Sequence, residues 1–555
     1  MTPTSQARES GLVARGSIVN MIAMTMGAAL TFGLTVVASR WLQPRTTGEL
    51  FELIAIFTIL AYALALGADT GLTRWIARTR AVEGLTDIRR IVVIALAPVL
   101  LVGIAVAVAV WMTAPILAGI FLHSVSRGSA IIDVRLVALI VPLGGISVCL
   151  LAAARGLGRM WPYLAVEGLG KPALRMGLVV IALIAGWGLR GALVGWSVPV
   201  VVGVVAAWWI FTALIRKEAP DAAPMLALRR QRHLAAAFWR FAAPRGLAGI
   251  FQIVVLWLDI LLVGALLSSY DAGVYTAVSR LAMLGTFALE GTRLAIAPQL
   301  SALLAVRARG RTLALYQTAT NWLMLMSWPV YILFATFPAV VLGIFGARYT
   351  AGAAALSVLC AAMLINLATG NVTVVLLMGG KSSWNVVNTL AALIVNVGLN
   401  IVLLPRIGIL GAAIAWAASI LVDNVAAVIE VWLTLGLGPF GPGYLTVIAA
   451  AGGGFTVAGL AARHFIGQTL AGLVAAALAG LIVCAATVYA GRRRLQLVGL
   501  RSVFASGKGR TPAAAGRHRA DAGAASPARL HQGGRPELGL TAVHPSHRRP
   551  GRRSA

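Results

Sequence analysis

Glu167, Lys171 and Arg175 recur at intervals of four within one otherwise apolar stretch. On a helix this spacing puts them on one face, with the acid N-terminal to the lysine in the order that favours an ion pair. Counting from Pro162 at about 1.5 Å per residue, Arg175 lies some 20 Å along, near the middle of a bilayer core about 30 Å thick. One carboxylate cannot neutralise two cations. The stripe is therefore either an internally neutralised network with one spare charge or the lining of a wet cavity. Pro172, between the two cations, predicts a kink. Other apolar stretches carry Arg245 beside Pro244, Asp259, Arg280, and Glu290 with Arg293 one turn on. Asp259 and Arg280 fall in the same half of one helical hairpin, which predicts a structural ion pair. Arg245 has no evident partner nearby and is the better candidate for a substrate contact. Asn366, Asn371, Asp423 and Glu430 are open to packing and pathway roles alike. The predicted substrate pathway is thus Glu167, Lys171, Arg175, Arg245, Arg280, Arg293, Asn366 and Asn371, with Asp259, Glu290 and Asp423 as ion-coupling or structural groups. Unpaired arginine and lysine suit a diphosphate, whereas a cationic drug calls for unpaired carboxylates.

The elements that position these groups follow from composition. Of 555 residues, 59% are apolar before the 60 glycines are counted, and only 11% are charged. That excludes an ordinary soluble enzyme, whose surface needs about a quarter of its residues charged. Apolar runs of spanning length number about fourteen, from Ser17–Ala38 to Ile466–Ala490, so the chain reads as an all-α polytopic membrane protein. The formal charge of +29 clusters between runs and in the tail, as the positive-inside effect requires, and does not imply nucleic acid. Arg74, Arg78, Arg89, Arg216, Arg232, Arg307, Arg311 and Lys381 share one side, which predicts a cytoplasmic membrane location with both termini cytoplasmic. Cys149, Cys360 and Cys484 sit singly in apolar runs and read as packing residues, with neither a disulfide framework nor a zinc site implied. From Gly491 the composition turns to Ala, Gly, Pro, Arg and Ser. This tail is expected to be disordered, either an unselected extension or an attachment to anionic headgroups.

The chain also repeats itself. Gly119-Ile120-Phe121 recurs as Gly343-Ile344-Phe345, an offset of 224, and Gly188-Leu189-Arg190-Gly191-Ala192 as Gly408-Ile409-Leu410-Gly411-Ala412, an offset of 220. Gly158-Arg159-Met160-Trp161 corresponds to Gly380-Lys381-Ser382-Ser383-Trp384, and Gly48 to Gly273. Matches in one order at nearly one offset predict two pseudo-symmetric six-helix bundles related by an axis along the membrane normal, plus two C-terminal helices. The expected units are 1–215, a cytoplasmic linker 216–240, 241–436, a helix pair 437–490 and the tail 491–555. Paired bundles with a cleft between them suit alternating access.

Trp257-Leu258-Asp259-Ile260-Leu261-Leu262-Val263-Gly264, Ser268–Tyr275, Phe345-Gly346-Ala347-Arg348-Tyr349, Leu404–Ala415 and Ser39–Pro44 resemble the polysaccharide-biosynthesis flippase branch of the multidrug/oligosaccharidyl-lipid/polysaccharide exporter superfamily. The resemblance covers about Ser17 to Gly436. It implies a V-shaped carrier that moves lipid-linked (polyprenyl-diphosphate) oligosaccharide across the cytoplasmic membrane for cell-surface polysaccharide, with polysaccharide assembly proteins as possible partners. No cofactor is expected beyond coupling to H+ or Na+. A cation-coupled multidrug antiporter shares the architecture and would depend on Asp259, Glu290 or Asp423. An integral-membrane polymerase or ligase is a further alternative, but it calls for a long extracytoplasmic loop, and the longest outer connection, around His123, is under about 20 residues. No metal motif or paired catalytic carboxylates are apparent, so the expectation is a transporter rather than an enzyme.

Overall fold

The computed structural model describes residues 23–82, 87–122, 126–218, 231–441 and 443–491, all helices and short connections. The helices are α1 (Ala23–Trp41), α2 (Pro44–Leu64), α3 (Ala68–Val82), α4 (Ile88–Phe121) and α5 (Arg127–Gly156). Next comes α6, which starts at Trp161–Tyr163, passes through a π-helical stretch Leu164–Gly170 and continues as Lys171–Ile184. Then follow α7 (Gly188–Glu218), α8 (Gln231–Leu266), α9 (Ser269–Ala282), α10 (Thr286–Ala305), α11 (Arg309–Thr336), α12 (Ala353–Ala368) and α13 (Val372–Met378). The chain continues with α14 (Ser382–Ile407), α15 (Ile409–Leu435), α16 (Tyr444–Val447, π-helical Ile448–Gly453, Gly454–Phe465) and α17 (Leu470–Ala490). All belong to one compact unit, Met1–Val498; the second, Gly499–Ala555, and with it the expected headgroup-binding tail, lies outside the described residues.

Among the described residues twelve helices are long and apolar enough to cross a membrane. The two further spans expected from sequence correspond to α6, interrupted by Glu167, Lys171 and Arg175, and to α11, which carries Gln317 and Asn321 among its apolar residues. The helices also run further than the apolar runs suggested. α4 reaches Phe121 and α5 begins at Arg127, shortening the connection around His123, and α8 begins at Gln231, so that 231–240, assigned to a linker, are its first turns.

The repeat is visible where the chain turns and where its halves touch. Gly158 and Gly380 both take positive φ (75° and 80°), as do Gly188 and Gly408 (59° and 62°), so each pair marks the same kind of turn with a conformation that only glycine adopts freely. Gly48 and Gly273 face each other: a Cβ on Gly48 would lie 2.8 Å from the Gly273 nitrogen, and one on Gly273 3.0 Å from the Gly48 nitrogen. This reciprocal contact is what a pseudo-twofold axis between the starts of α2 and α9 produces.

Around that contact the two halves share one hydrophobic core, containing Leu50 of α2, Val134 of α5, Tyr275 of α9, Leu359 of α12 and Ala412 of α15. Toward the arginine-rich end the core divides. One cluster holds Leu72, Ile91, Leu150, Phe211 and Phe238, and a separate one holds Leu300, Tyr316, Val375 and Val431. Cys149 and Cys360 fill space within these clusters, and Cys484 in a smaller one. At this end only α8 bridges the two clusters among the described residues, its first turns placing Phe238 and Ala242 in the first one and donating from Trp239 Nε1 to the Ile94 carbonyl (3.2 Å), so the broad shared core lies at the opposite, closed end. Polar contacts tie the closed end: Arg40 of α1 donates to the carbonyls of Gly343 (3.0 Å) and Ile344 (2.7 Å), and the Tyr349 hydroxyl lies 3.1 Å from Thr47 Oγ1.

Candidate functional site

Pro172 explains the shape of α6. It has no N–H to give the carbonyl of Gly168, and the helix answers by widening: the Lys171 N–H bonds back five residues to Val166, the π pattern. The predicted disturbance at Pro172 is therefore a π-bulge, and the charged stripe that spans it lines a chamber. Lys171 is buried and donates to Glu167 Oε1 (2.5 Å) and Ser147 Oγ (2.8 Å). Its charge is thus matched within the stripe, as the neutralised-network alternative required. The spare cation is Arg175. Its guanidinium lies 4.1 Å from the Trp196 ring centroid, and Nε donates to the Trp196 carbonyl at 3.3 Å. Trp196 is itself fixed by an edge contact with Phe57, centroids 5.0 Å apart.

These residues line a chamber of about 210 Å³ built from α1, α2, α5, α6 and α7, which α8 and α9 complete with Trp257 and Arg280. Arg280 lies 4.3 Å from the Trp257 centroid and 5.7 Å from that of Phe51. Its one side-chain bond is a 3.7 Å contact to Met283 Sδ, and its Nε is buried without a partner. Among the described residues neither Arg175 nor Arg280 is in an ion pair with a carboxylate. A guanidinium carries five donors. Most of those on these two arginines are uncommitted, and the two come from opposite halves. Their aromatic partners hold the charge by cation–π attraction without using the N–H groups.

Arg245 lies elsewhere. It sits over Phe241 (3.9 Å) and lines a neighbouring cavity of about 540 Å³ with Asp69, Thr70, Gln252 and Tyr62; Tyr62 also lines the first chamber. The predicted Asp259–Arg280 pair does not form. Asp259 is buried and accepts from Tyr275 (3.1 Å) and from Asn400 Nδ2 (2.9 Å), and Asn400 also bonds Asn396. Neutral donors on α9 and α14 satisfy the carboxylate, and Arg280 is taken by aromatic faces instead. Glu290 and Arg293 pair with each other at 3.1 Å, both half-exposed. Asn366 accepts from Asn424 (3.0 Å), and Asn371 is buried with an unpartnered Nδ2. Glu430 accepts from Asn388 (2.8 Å). Asp423 lies on α15, and none of Asp259, Glu290, Arg293, Asn366, Asn371 and Asp423 lines either cavity.

Tertiary contacts alone give Ser147, Trp196 and Trp257 their places at the site, and they also bring in Glu52. Glu52 is fully buried in the closed end, accepts from Ser269 (3.1 Å) across the two halves, and leaves Oε1 without a hydrogen bond. Two acids three apart, Glu49 and Glu52, inside an apolar run were a visible signal.

The profile of the family described as "Polysaccharide biosynthesis protein" matches residues 13–304, just over half of the chain. No curated protein matches at sequence level. Among solved structures, the lipid II flippase MurJ in an inward closed conformation superposes with a TM-score of 0.64 at 11% identity, covering 86% of this chain and 99% of that one. An inward-facing multidrug resistance MATE transporter of the MOP superfamily gives 0.61 at 16% identity, covering 75% and 98%. An outward-facing MATE transporter gives 0.54 at 18% identity, covering 76% and 95%. At such identities these likenesses establish the fold.

Proposed function

The chain belongs to the polysaccharide biosynthesis protein family, and on that premise we propose that it is a transporter that flips a polyprenyl-diphosphate oligosaccharide across the cytoplasmic membrane. The observation that carries the reading is the pair Arg175 and Arg280: two partly buried guanidinium groups from opposite halves, facing one chamber, with no carboxylate on either among the described residues. Such groups cost stability in a lipid environment, and a diphosphate bridging them would recover it through charge-assisted bonds. The 210 Å³ chamber suits a diphosphate rather than an oligosaccharide. The saccharide belongs in the adjoining 540 Å³ cavity, where Asp69, Thr70, Arg245 and Gln252 offer hydrogen bonds, and the polyprenyl chain stays in the bilayer. The core divides at the arginine-rich end, where among the described residues α8 alone crosses between the clusters; with that end cytoplasmic by the positive-inside effect and both termini on that side, this supports entry from the cytoplasm and alternating access by rocking of the halves. Delivery to and from polysaccharide assembly proteins follows from that role.

Asp259 is the preferred coupling group. It is a buried carboxylate met by neutral donors, with the Asn400 carbonyl oxygen beside it unpartnered, an arrangement able to take H+ or Na+. The multidrug alternative would rest on this same carboxylate, but the chamber presents cations. The deciding experiment is flipping in proteoliposomes of a fluorescent polyprenyl-diphosphate oligosaccharide against a lipophilic cation. Movement of the saccharide lipid, lost in Arg175→Ala, is expected; export of the cation alone would overturn the proposal.

A further inference from the structure

Outside the chamber, a groove of about 440 Å³ runs along the outer side of the first bundle between α4 and α7. Both helices pack on α5, whose Ile146 forms its floor. Its walls are apolar, with Val92, Leu96 and Leu100 on α4 and the exposed Trp208 on α7, and two cations stand at one end, Arg89 and Arg216. Among the described residues the acids nearby are already taken, Asp87 by Arg90 (2.6 Å) and Glu218 by Arg159 (2.8 Å), and neither Arg89 nor Arg216 pairs with a carboxylate.

We infer that this groove is a binding site for one anionic phospholipid of the adjacent leaflet, its headgroup phosphate on Arg89 and Arg216 and one acyl chain along α4. Length and charge both fit. From Arg89 to Leu100 the helix rises about 16 Å, roughly half of a hydrocarbon core of about 30 Å, which is the depth of one leaflet. Two unpaired arginines at the mouth of an apolar slot complement an amphiphile with a negative head. The occupant is not the transported molecule. Gly144 and Val148 of α5 face the chamber, whereas Ile146, two positions from each, lies about 200° around the helix, so groove and chamber are on opposite sides of α5. The inference therefore stands or falls independently of the cargo.

The test is native mass spectrometry of the purified full chain titrated with dioleoylphosphatidylglycerol and, separately, dioleoylphosphatidylcholine. Phosphatidylglycerol is expected to bind at least tenfold more tightly. The double variant Arg89→Ala/Arg216→Ala should lose about thirtyfold of that affinity, the strength of two near-surface arginines toward an anionic headgroup. Val93→Trp, which fills the groove without altering charge, should displace the lipid, and this variant decides the matter if the double alanine variant does not fold. Equal binding of the two lipids, or phosphatidylglycerol binding indifferent to the groove-filling variant, would overturn the site. So would displacement of phosphatidylglycerol by equimolar polyprenyl phosphate.

Discussion

Replacing Arg280 by Gln separates ligand binding from structure. Among the described residues this guanidinium has no ion pair, one weak contact to Met283 Sδ, and cation–π contacts with Trp257 at 4.3 Å and Phe51 at 5.7 Å. Those aromatic contacts contribute about 0.5–2 kcal/mol. The substitution also removes a charge held out of water, which offsets them, so net stability should change by no more than about 1 kcal/mol. The effect on a diphosphate is larger. Losing charge-assisted bonds worth about 1.5–3 kcal/mol corresponds to roughly a tenfold to hundredfold loss of affinity. Arg280→Lys keeps the charge but not the planar fork and should fall between. The assay is initial flipping rate against substrate concentration in proteoliposomes, with the melting temperature of the same preparations measured alongside. Wild-type half-saturation in Arg280→Gln would refute the cationic-clamp argument. So would a loss of transport accompanied by a melting temperature reduced enough to account for it.

Lys171 should behave in the opposite way. Lys171→Met leaves Glu167 unmatched and is expected to cost roughly 3 kcal/mol, the low end for a broken buried pair because that carboxylate is 27% exposed; Glu167→Gln/Lys171→Met should recover most of it, as read by thermal unfolding. Gly48→Val forces a side chain into the Gly273 backbone, at an expected cost of about 1–3 kcal/mol to the closed end. Cysteine labelling from the face opposite the arginine-rich end should then reach chamber positions that the wild-type chain protects, and unchanged labelling would count against the V-shaped arrangement. Because Asp259 and Arg280 are held by different partners, Asp259→Asn and Arg280→Gln should add within about 0.5 kcal/mol in stability; a larger coupling energy would mean that they interact after all.

The repeat, the spans and the charged stripe were legible because each is written in local sequence. Glycine at an obligatory turn, as at Gly158 and Gly380, is a backbone requirement that survives any divergence of side chains, and four-residue spacing fixes a helical face wherever the helix goes. The partners of those charges were not legible. Asp259 and Arg280 were close enough along one hairpin to suggest a pair, but the choice was made by α14, which brings Asn400 from 141 positions away, and by Trp257, which offers a ring where a carboxylate was expected. The chamber's composition was hidden for the same reason. Nothing in the spacing of Ser147 or Trp196 sets them apart from other small or aromatic residues in the bundle.

The absent ion pair has a consequence for mechanism. A cation and an anion joined in a low-dielectric interior satisfy each other and leave little capacity for a third charge. Here the opposite arrangement holds. Arg280 rests on aromatic faces that attract it without occupying its donors, Arg175 does the same on Trp196, and Asp259 is stabilised by a phenol and an amide that leave its negative charge uncancelled. Each charge is tolerated yet left uncancelled, as the proposed diphosphate and coupling-ion sites require. Lys171 and Glu167, which do neutralise each other, serve as the contrast: they are suited to holding α6 against α5 through Ser147. The duplicated scaffold thus carries two kinds of unspent charge in separate places. The cations face the chamber between the halves, and the carboxylate lies within the second half, where taking up a cation could change how α8, α9 and α14 pack. Because Arg280 and Asp259 stand on adjoining helices, α9 and α8, such a repacking would bear directly on one arm of the proposed anion site.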